Sequence, residues 1–442
     1  MRSILTALAA VALALALGIS DGTYHPAALA LVTLSAVASV TASTQAGSAG
    51  SRGAMLLIGM GIVLSLAYDT LFLPGLVVDP SRLGAFRPTL AVTAVLLSTY
   101  LWRRFPSSLA RWRPLAVLVC CTTLGALVIL ASPAPQIDVF HFQQEGSLAI
   151  LAGRDPYAIA YRNLYWPSTA FYSPLLLTSD ARWVTANPYP PLSLLAVLPA
   201  AALGDARWTM LVAAAIAAFL IRCLGRGSYQ SELAAALMLL QPRGFMILEL
   251  SYTEPFVLTC LLLMALAVRR DATWLVVGAA SALAIASKQY APLLVAPLLF
   301  AARERWRAAA TAVLLSAAIF LPFLLWNTGG FVRSLLTFQV VQPFRADALS
   351  WPAALVNWGG PQLPAWPAFL LAAGVLAATL HRGIQLKVAM IAGSAAWIVF
   401  VAFNKQAFGN YYWLAVGLLL AACAMEEEAG HPARPAESVH LP

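Results

Sequence analysis

The feature that most limits what this chain can become is a long succession of apolar runs separated by short arginine clusters. A bilayer crossing takes about 20 predominantly apolar residues. Runs of that kind occupy residues 3–19, 26–44, 54–74, 84–102 and 114–134 in the first third alone. Backbone in hydrocarbon must satisfy its own hydrogen bonds, which leaves helices or a closed barrel. The runs are continuous rather than alternating, so the barrel is excluded. Only 10% of the 442 residues are charged and 61% are hydrophobic, against about a quarter charged in a soluble domain. Soluble, fibrous and disordered classes are excluded with it. The sequence predicts an all-α, polytopic transmembrane helical bundle.

The arginines orient the runs. Arg2, Arg52 and the group Arg103, Arg104, Arg111, Arg113 fall at alternate ends. Short cytoplasmic loops carry the excess of Lys and Arg, so these sites face the cytoplasm and the segment from Pro135 emerges outside. Residues 1–20 read as the first span or, alternatively, as a signal peptide, because Arg2 precedes an apolar run ending in small residues. Near the other end, Arg269 and Arg270, then Arg303, Arg305 and Arg307, bracket a hairpin of 272–287 and 289–302. Residues 308–326 lead out to a polar loop, 327–364. Spans at 365–380, 388–403 and 410–425 finish with Glu426–Glu428 inside. Three runs in the middle (189–204, 207–222 and 231–248) conflict with flanks that require an even number of crossings. One of the three must be re-entrant or interfacial. The expected total is about 14 spans, with 12 to 15 allowed.

This divides the chain into accessory N-terminal helices (1–110) and a core (111–300) with an outer loop at 135–188. C-terminal helices (301–425) carry the second outer loop, and a disordered cytoplasmic tail follows at 426–442. The net charge of +9 belongs to the basic loops and does not imply nucleic acid. The five cysteines have neither metal-ligand nor disulfide spacing, and no cofactor is implied.

Chemistry concentrates near the outer face. Ionisable residues at membrane depth are costly and default to function, and Glu254, Lys288 and Lys405 all come out near that side. The densest stretch runs from Asp138 to Pro191. Residues 137–152 read as a short interfacial helix, ended by Gly153 and Pro156. Asp138 stands at its first turn, where the helix dipole favours a carboxylate. Polar residues gathered at one leaflet suit an enzyme, whereas a carrier places them at the midplane.

The motifs here are Asp138, Phe142 and Gly146, then Gly153-Arg154-Asp155-Pro156-Tyr157, then Asn187-Pro188-Tyr189-Pro190-Pro191-Leu192. Weaker ones follow at Ser287-Lys288-Gln289-Tyr290-Ala291-Pro292 and at Asn404-Lys405-Gln406-Ala407-Phe408 with Tyr411-Tyr412. Over about 135–425 the pattern resembles the GT-C superfamily of integral-membrane glycosyltransferases. Within it, the chain is most similar to the polyprenyl-phosphate-mannose-dependent mannosyltransferases of family 87 and to bacterial arabinosyl- and glucosyltransferases. It departs from that pattern in having five spans before the catalytic loop instead of one. It also has a lone carboxylate where metal-using relatives carry Asp-x-Asp, so a divalent cation is not implied.

The resemblance implies transfer of a sugar from a polyprenyl-phosphate donor to a hydroxyl of an envelope glycolipid, glycan or other acceptor, with inversion. Mannose is the first expectation, with arabinofuranose and glucose as alternatives. Asp138 is the expected general base. Lys288, Lys405, Arg345 and His141 are candidates for the donor phosphate. Glu254, Gln289, Tyr290, Tyr157, Asn187, Tyr189 and Tyr411 are candidates for contact with substrate. The expected setting is a multi-pass protein of the cytoplasmic membrane with its site on the extracytoplasmic face. Rival readings are a transporter or flippase of a lipid-linked sugar, and an O-antigen ligase or polymerase of the same superfamily. For individual residues, Lys288 and Lys405 read alternatively as snorkelling side chains, His141 as an interface residue and Asp155 as a turn former.

Overall fold

The computed structural model describes residues 1–45, 51–76, 78–102, 105–168, 170–380 and 384–426. Arg103, Arg104 and the tail beyond Glu426 lie outside these. The chain is helical almost throughout: α1 (Arg2–Ser20), α2 (Pro26–Thr44), α3 (Ser51–Leu71), α4 (Phe86–Ser98), a short α5 (Ser107–Ala110) and α6 (Arg113–Ala131). Next come α7 (Asp138–Leu151), α8 (Pro191–Ala202), α9 (Arg207–Leu224), α10 (Tyr229–Leu240), α11 (Gly244–Glu249) and α12 (Glu254–Arg269). The remainder is α13 (Trp274–Ser287), α14 (Ala291–Ala301), α15 (Arg305–Trp326), α16 (Thr328–Val332), α17 (Phe338–Val341), α18 (Trp351–Asn357), α19 (Trp366–Thr379), α20 (Leu386–Ala402) and α21 (Gly409–Ala424). The one described sheet is a two-residue hairpin, Tyr161–Arg162 against Trp183–Val184, inside the first long loop. Six helices are long and apolar enough to cross a membrane by themselves, and seven more are shorter and apolar. This is an all-α polytopic membrane protein.

Contacts between helix ends sort them onto two faces. On one, Arg2 Nε donates to Ala42 O at 3.3 Å, and Arg113 lies 3.5 Å from Glu232. Lys387 Nζ there reaches Ser3 Oγ at 3.0 Å and Met425 O at 2.9 Å. On the other, Tyr24 N donates to Asp347 O and Leu349 N to Ala407 O, each at 2.8 Å, and Arg243 pairs with Asp21. We call these the arginine face and the loop face. Fourteen passes run between them among the described residues: α1–α4, α6, α9, α10 with α11, α12–α15 and α19–α21.

The crowded middle resolves at α8. Gln144 of α7 donates to Ala201 O at 3.1 Å and accepts from Ala206 N at 2.8 Å. Arg207, the first residue of α9, donates to Ser132 O at 2.7 Å, just past the loop-face end of α6. Both ends of α8 therefore lie on the loop face. It lies along α7, where Ser147 Oγ donates to Leu194 O at 2.8 Å. The run at 231–248 crosses but breaks at Pro242, which restricts Gln241 and cannot continue the helical ladder. Arg243 then turns in the left-handed region at φ 62°.

Two further features shape the loop face. Helix α1 is packed between α2, α3 and α21, and α2 also packs on α20, so the first helices are joined to the last ones. Meanwhile α12, α13 and α14 have 16, 14 and 11 residues, against 19 to 22 in α1–α3, α6 and α15. Glu254 and Lys288 stand at the loop-face ends of these shorter helices.

Candidate active site

Asp138 opens α7, as the sequence expects, with Ile137 extended before it. Its Oδ1 accepts from the Val139 N–H at 2.7 Å, and its Oδ2 accepts from the Tyr172 hydroxyl. Tyr165 also reaches it, and Arg345 is within electrostatic range. Burial pushes the carboxyl above the ordinary carboxylate range, against the opposing pull of these donors and of Arg345. With Val139, Tyr172 and Tyr165 on it, the carboxylate keeps one of its four lone-pair positions for a further partner.

The frame around Asp138 is tied by Asn187, which is fully buried. Its Nδ2 donates to Phe142 O at 2.9 Å and to the Tyr161 hydroxyl at 3.0 Å, while Oδ1 accepts from Tyr189 N at 3.1 Å. This joins α7, the hairpin and the segment entering α8. Gly146 is required by the close approach, since a Cβ there would stand 2.7 Å from Asn187 Nδ2. Tyr157, also buried, donates its hydroxyl to Tyr189 O at 2.8 Å. Asp155 accepts from Tyr157 N at 2.9 Å, the turn-forming arrangement. Asn187 and Tyr157 therefore hold Tyr189 in place.

The loop-face ends of α12, α13 and α14 supply the other half. Lys288 Nζ donates to Thr253 Oγ1 at 2.6 Å, lies 3.6 Å from Glu254 Oε1, and sits 4.6 Å from the centre of the Tyr189 ring. Glu254 is fully buried. Its Oε1 accepts from the Tyr290 hydroxyl at 2.8 Å, and its Oε2 has no hydrogen-bond partner. Tyr290 packs on Trp397 at 4.3 Å and edge-on to Tyr411 at 5.9 Å. Gln289 donates to Pro188 O, joining this hairpin tip to the Asn187 segment. Tyr189 and Tyr252 lie in the fields of both Asp138 and Glu254. The two acids thus belong to one cluster. Asp138, Tyr165, Tyr252, Gln289, Tyr290, Arg345, Lys405 and Tyr411 are all half-buried, so the cluster is partly accessible.

The remaining expected residues have their charged groups tied to other partners. Arg345 forks onto Asp347 at 2.7 and 2.6 Å and lies over Phe171 and Phe408. Lys405 Nζ donates to Val340 O at 3.0 Å and Gln342 O at 2.7 Å, fastening the second long loop. His141 Nδ1 is 2.9 Å from Glu145 Oε1, one turn along α7. Sequence reasoning missed Tyr165, Tyr172 and Tyr252. Their signal was only the tyrosine density of the first loop and the Tyr252-Thr253-Glu254 run ahead of α12.

Residues 187–385 match the model of glycosyltransferase family 87. The match begins at the Asn187 segment, takes in Glu254, Lys288 and Arg345, and leaves Asp138 on its N-terminal side. No curated protein and no solved structure matches the chain significantly. A family 87 match within a membrane-embedded helical chain supports a glycosyltransferase and is consistent with the resemblance drawn from the motifs.

Proposed function

Taking the chain as a membrane glycosyltransferase, we propose that it moves a sugar from a polyprenyl-phosphate donor to a hydroxyl of an envelope glycolipid, glycan or other acceptor. Mannose is the first candidate and arabinofuranose or glucose the alternatives. The carrying observation is the cluster itself: a carboxylate with a lone pair left over, Asp138, in the same cluster as a buried lysine, Lys288. The arginine distribution supports the cytoplasmic membrane, with the site on the outer side.

In this reading the acceptor O–H gives its proton to Asp138 as its oxygen bonds to the anomeric carbon. The bond from that carbon to the phosphate oxygen breaks, and polyprenyl phosphate leaves with the electron pair. One base opposite one leaving group gives inversion. A raised carboxyl pKa makes the Asp138 carboxylate a stronger base than that of an exposed aspartate. Lys288 suits the leaving phosphate. Of its three donors, Thr253 takes one and Glu254 faces a second, leaving one. Arg345 and Lys405, tied to Asp347 and to loop carbonyls, act on the same site by shaping its rim. Tyr189, held by Asn187 and Tyr157, offers a ring to a sugar face, and Glu254 Oε2 offers an acceptor to a sugar hydroxyl.

The test is a transfer assay on the purified chain with labelled polyprenyl-phosphate mannose, arabinofuranose and glucose and a membrane-lipid acceptor extract. Labelled product from one donor, with release of polyprenyl phosphate, is the expected result. No transfer from any donor, with lipid movement across liposomes, would replace the reading by a transporter. A pH profile adds a second measurement. Activity should rise with pH through the Asp138 pKa, above the ordinary carboxylate range. Tyr172→Phe removes a hydrogen bond that favours the ionised form, so its acid limb should move to higher pH. A limb unmoved by that change would detach it from Asp138.

A further inference from the structure

Far from Asp138, on the arginine face, helices α6, α9 and α10 part around an open groove of about 150 Å³. Its walls are apolar, with Leu115, Leu118 and Phe219 among them, and Arg111 and Arg222 stand at its edge. Leu115 and Phe219 are half exposed, as is Trp112 beside the mouth. Glu232, the acid within reach, is already committed. It accepts from the Tyr100 hydroxyl at 2.8 Å and lies 3.5 Å from both Arg113 and Arg222. Arg113 is buried, stacked 3.4 Å from the centre of the Tyr100 ring. Three arginines against one glutamate leave an excess of positive charge. Arg222 keeps only the long contact to Glu232 and is partly exposed. Arg111 lies over the Trp112 ring and forms no ion pair with any described residue.

We propose that this groove binds an anionic glycerophospholipid of the leaflet on the arginine face. One acyl chain lies against Leu115, Leu118 and Phe219, and the headgroup phosphate sits between Arg111 and Arg222. The combination selects the ligand class. A soluble anion would use the arginines and leave the apolar trough empty. A neutral lipid would fill the trough and leave the charge uncompensated. Basic pockets between helices at a membrane surface take anionic headgroups, and the trough supplies the second half of the match. This site stands independently of the transfer chemistry.

The experiment reconstitutes the full chain in mixed phosphatidylglycerol and phosphatidylcholine, then counts the lipids retained through purification by mass spectrometry. Phosphatidylglycerol should be retained in excess. Arg111→Gln, which breaks no ion pair, should cut that preference about fivefold, and adding Arg222→Gln should erase it. Leu118→Trp, which fills the trough, should lose the lipid with the arginines intact, its melting temperature showing that the fold survives. Equal retention of both lipids, an unchanged preference in Arg111→Gln, or retention in Leu118→Trp would each overturn the proposal. So would displacement of the lipid by excess inorganic phosphate, which would mark a free-anion site.

Discussion

Asp138→Asn should lower turnover by about 10²–10⁴-fold while leaving the protein folded. The amide keeps the shape of the side chain and can still accept through its oxygen at the first turn of α7. It cannot take a proton from an attacking hydroxyl. Because burial disfavours the charged form of Asp138, a neutral amide there carries no such cost, so the melting temperature should hold or rise. The two measurements together separate chemistry from folding. Wild-type turnover in the variant would remove Asp138 from the mechanism, whatever the fate of the remaining cluster.

Lys288→Met should act on both stability and turnover. Lys288 is the cation beside the fully buried Glu254, and removing one member of a buried pair costs about 3–5 kcal/mol. If Lys288 also faces the leaving phosphate, one charge about 4 Å away at an effective dielectric of 20 is worth roughly 4 kcal/mol, near a thousandfold in rate. The double variant Lys288→Met/Glu254→Gln distinguishes the two. Removing both charges should restore most of the melting temperature, because no lone buried ion is left. Turnover should stay depressed. A double variant that recovers wild-type turnover would make Lys288 a counter-ion for Glu254 and nothing more.

Much of this molecule was legible in the order of its residues. The ends of α1, α2, α6 and α19–α21 fall within a few residues of the apolar runs. Asp138 at the head of a short helix closed by Gly153, with φ 68°, follows from a carboxylate, an amphipathic stretch and a Gly-Arg-Asp-Pro turn. Asp155 behaves as its turn context suggests. Less could be read of the cations. Lys288, Lys405 and Arg345 look alike in sequence, as basic residues near loops. Their partners (Thr253 and Glu254, two loop carbonyls, and Asp347) divide them into three different situations. Tyr172 lies 34 positions from Asp138, and no pattern in one sequence links them.

Sequence alone determined that the chain enters a membrane, roughly where it crosses and which ends share a face. Apolar transfer and arginine retention act on each segment locally and nearly additively, so composition suffices to read them. Only tertiary packing decided which of the three middle runs stays on the loop face. The short, proline-bounded α8 is held there by Gln144 and by the anchoring of Arg207 beyond it. Packing also decided that Glu254 and Lys288 meet and share tyrosines with Asp138. Those contacts join residues far apart in the chain, and their energies exist only once the helices are assembled.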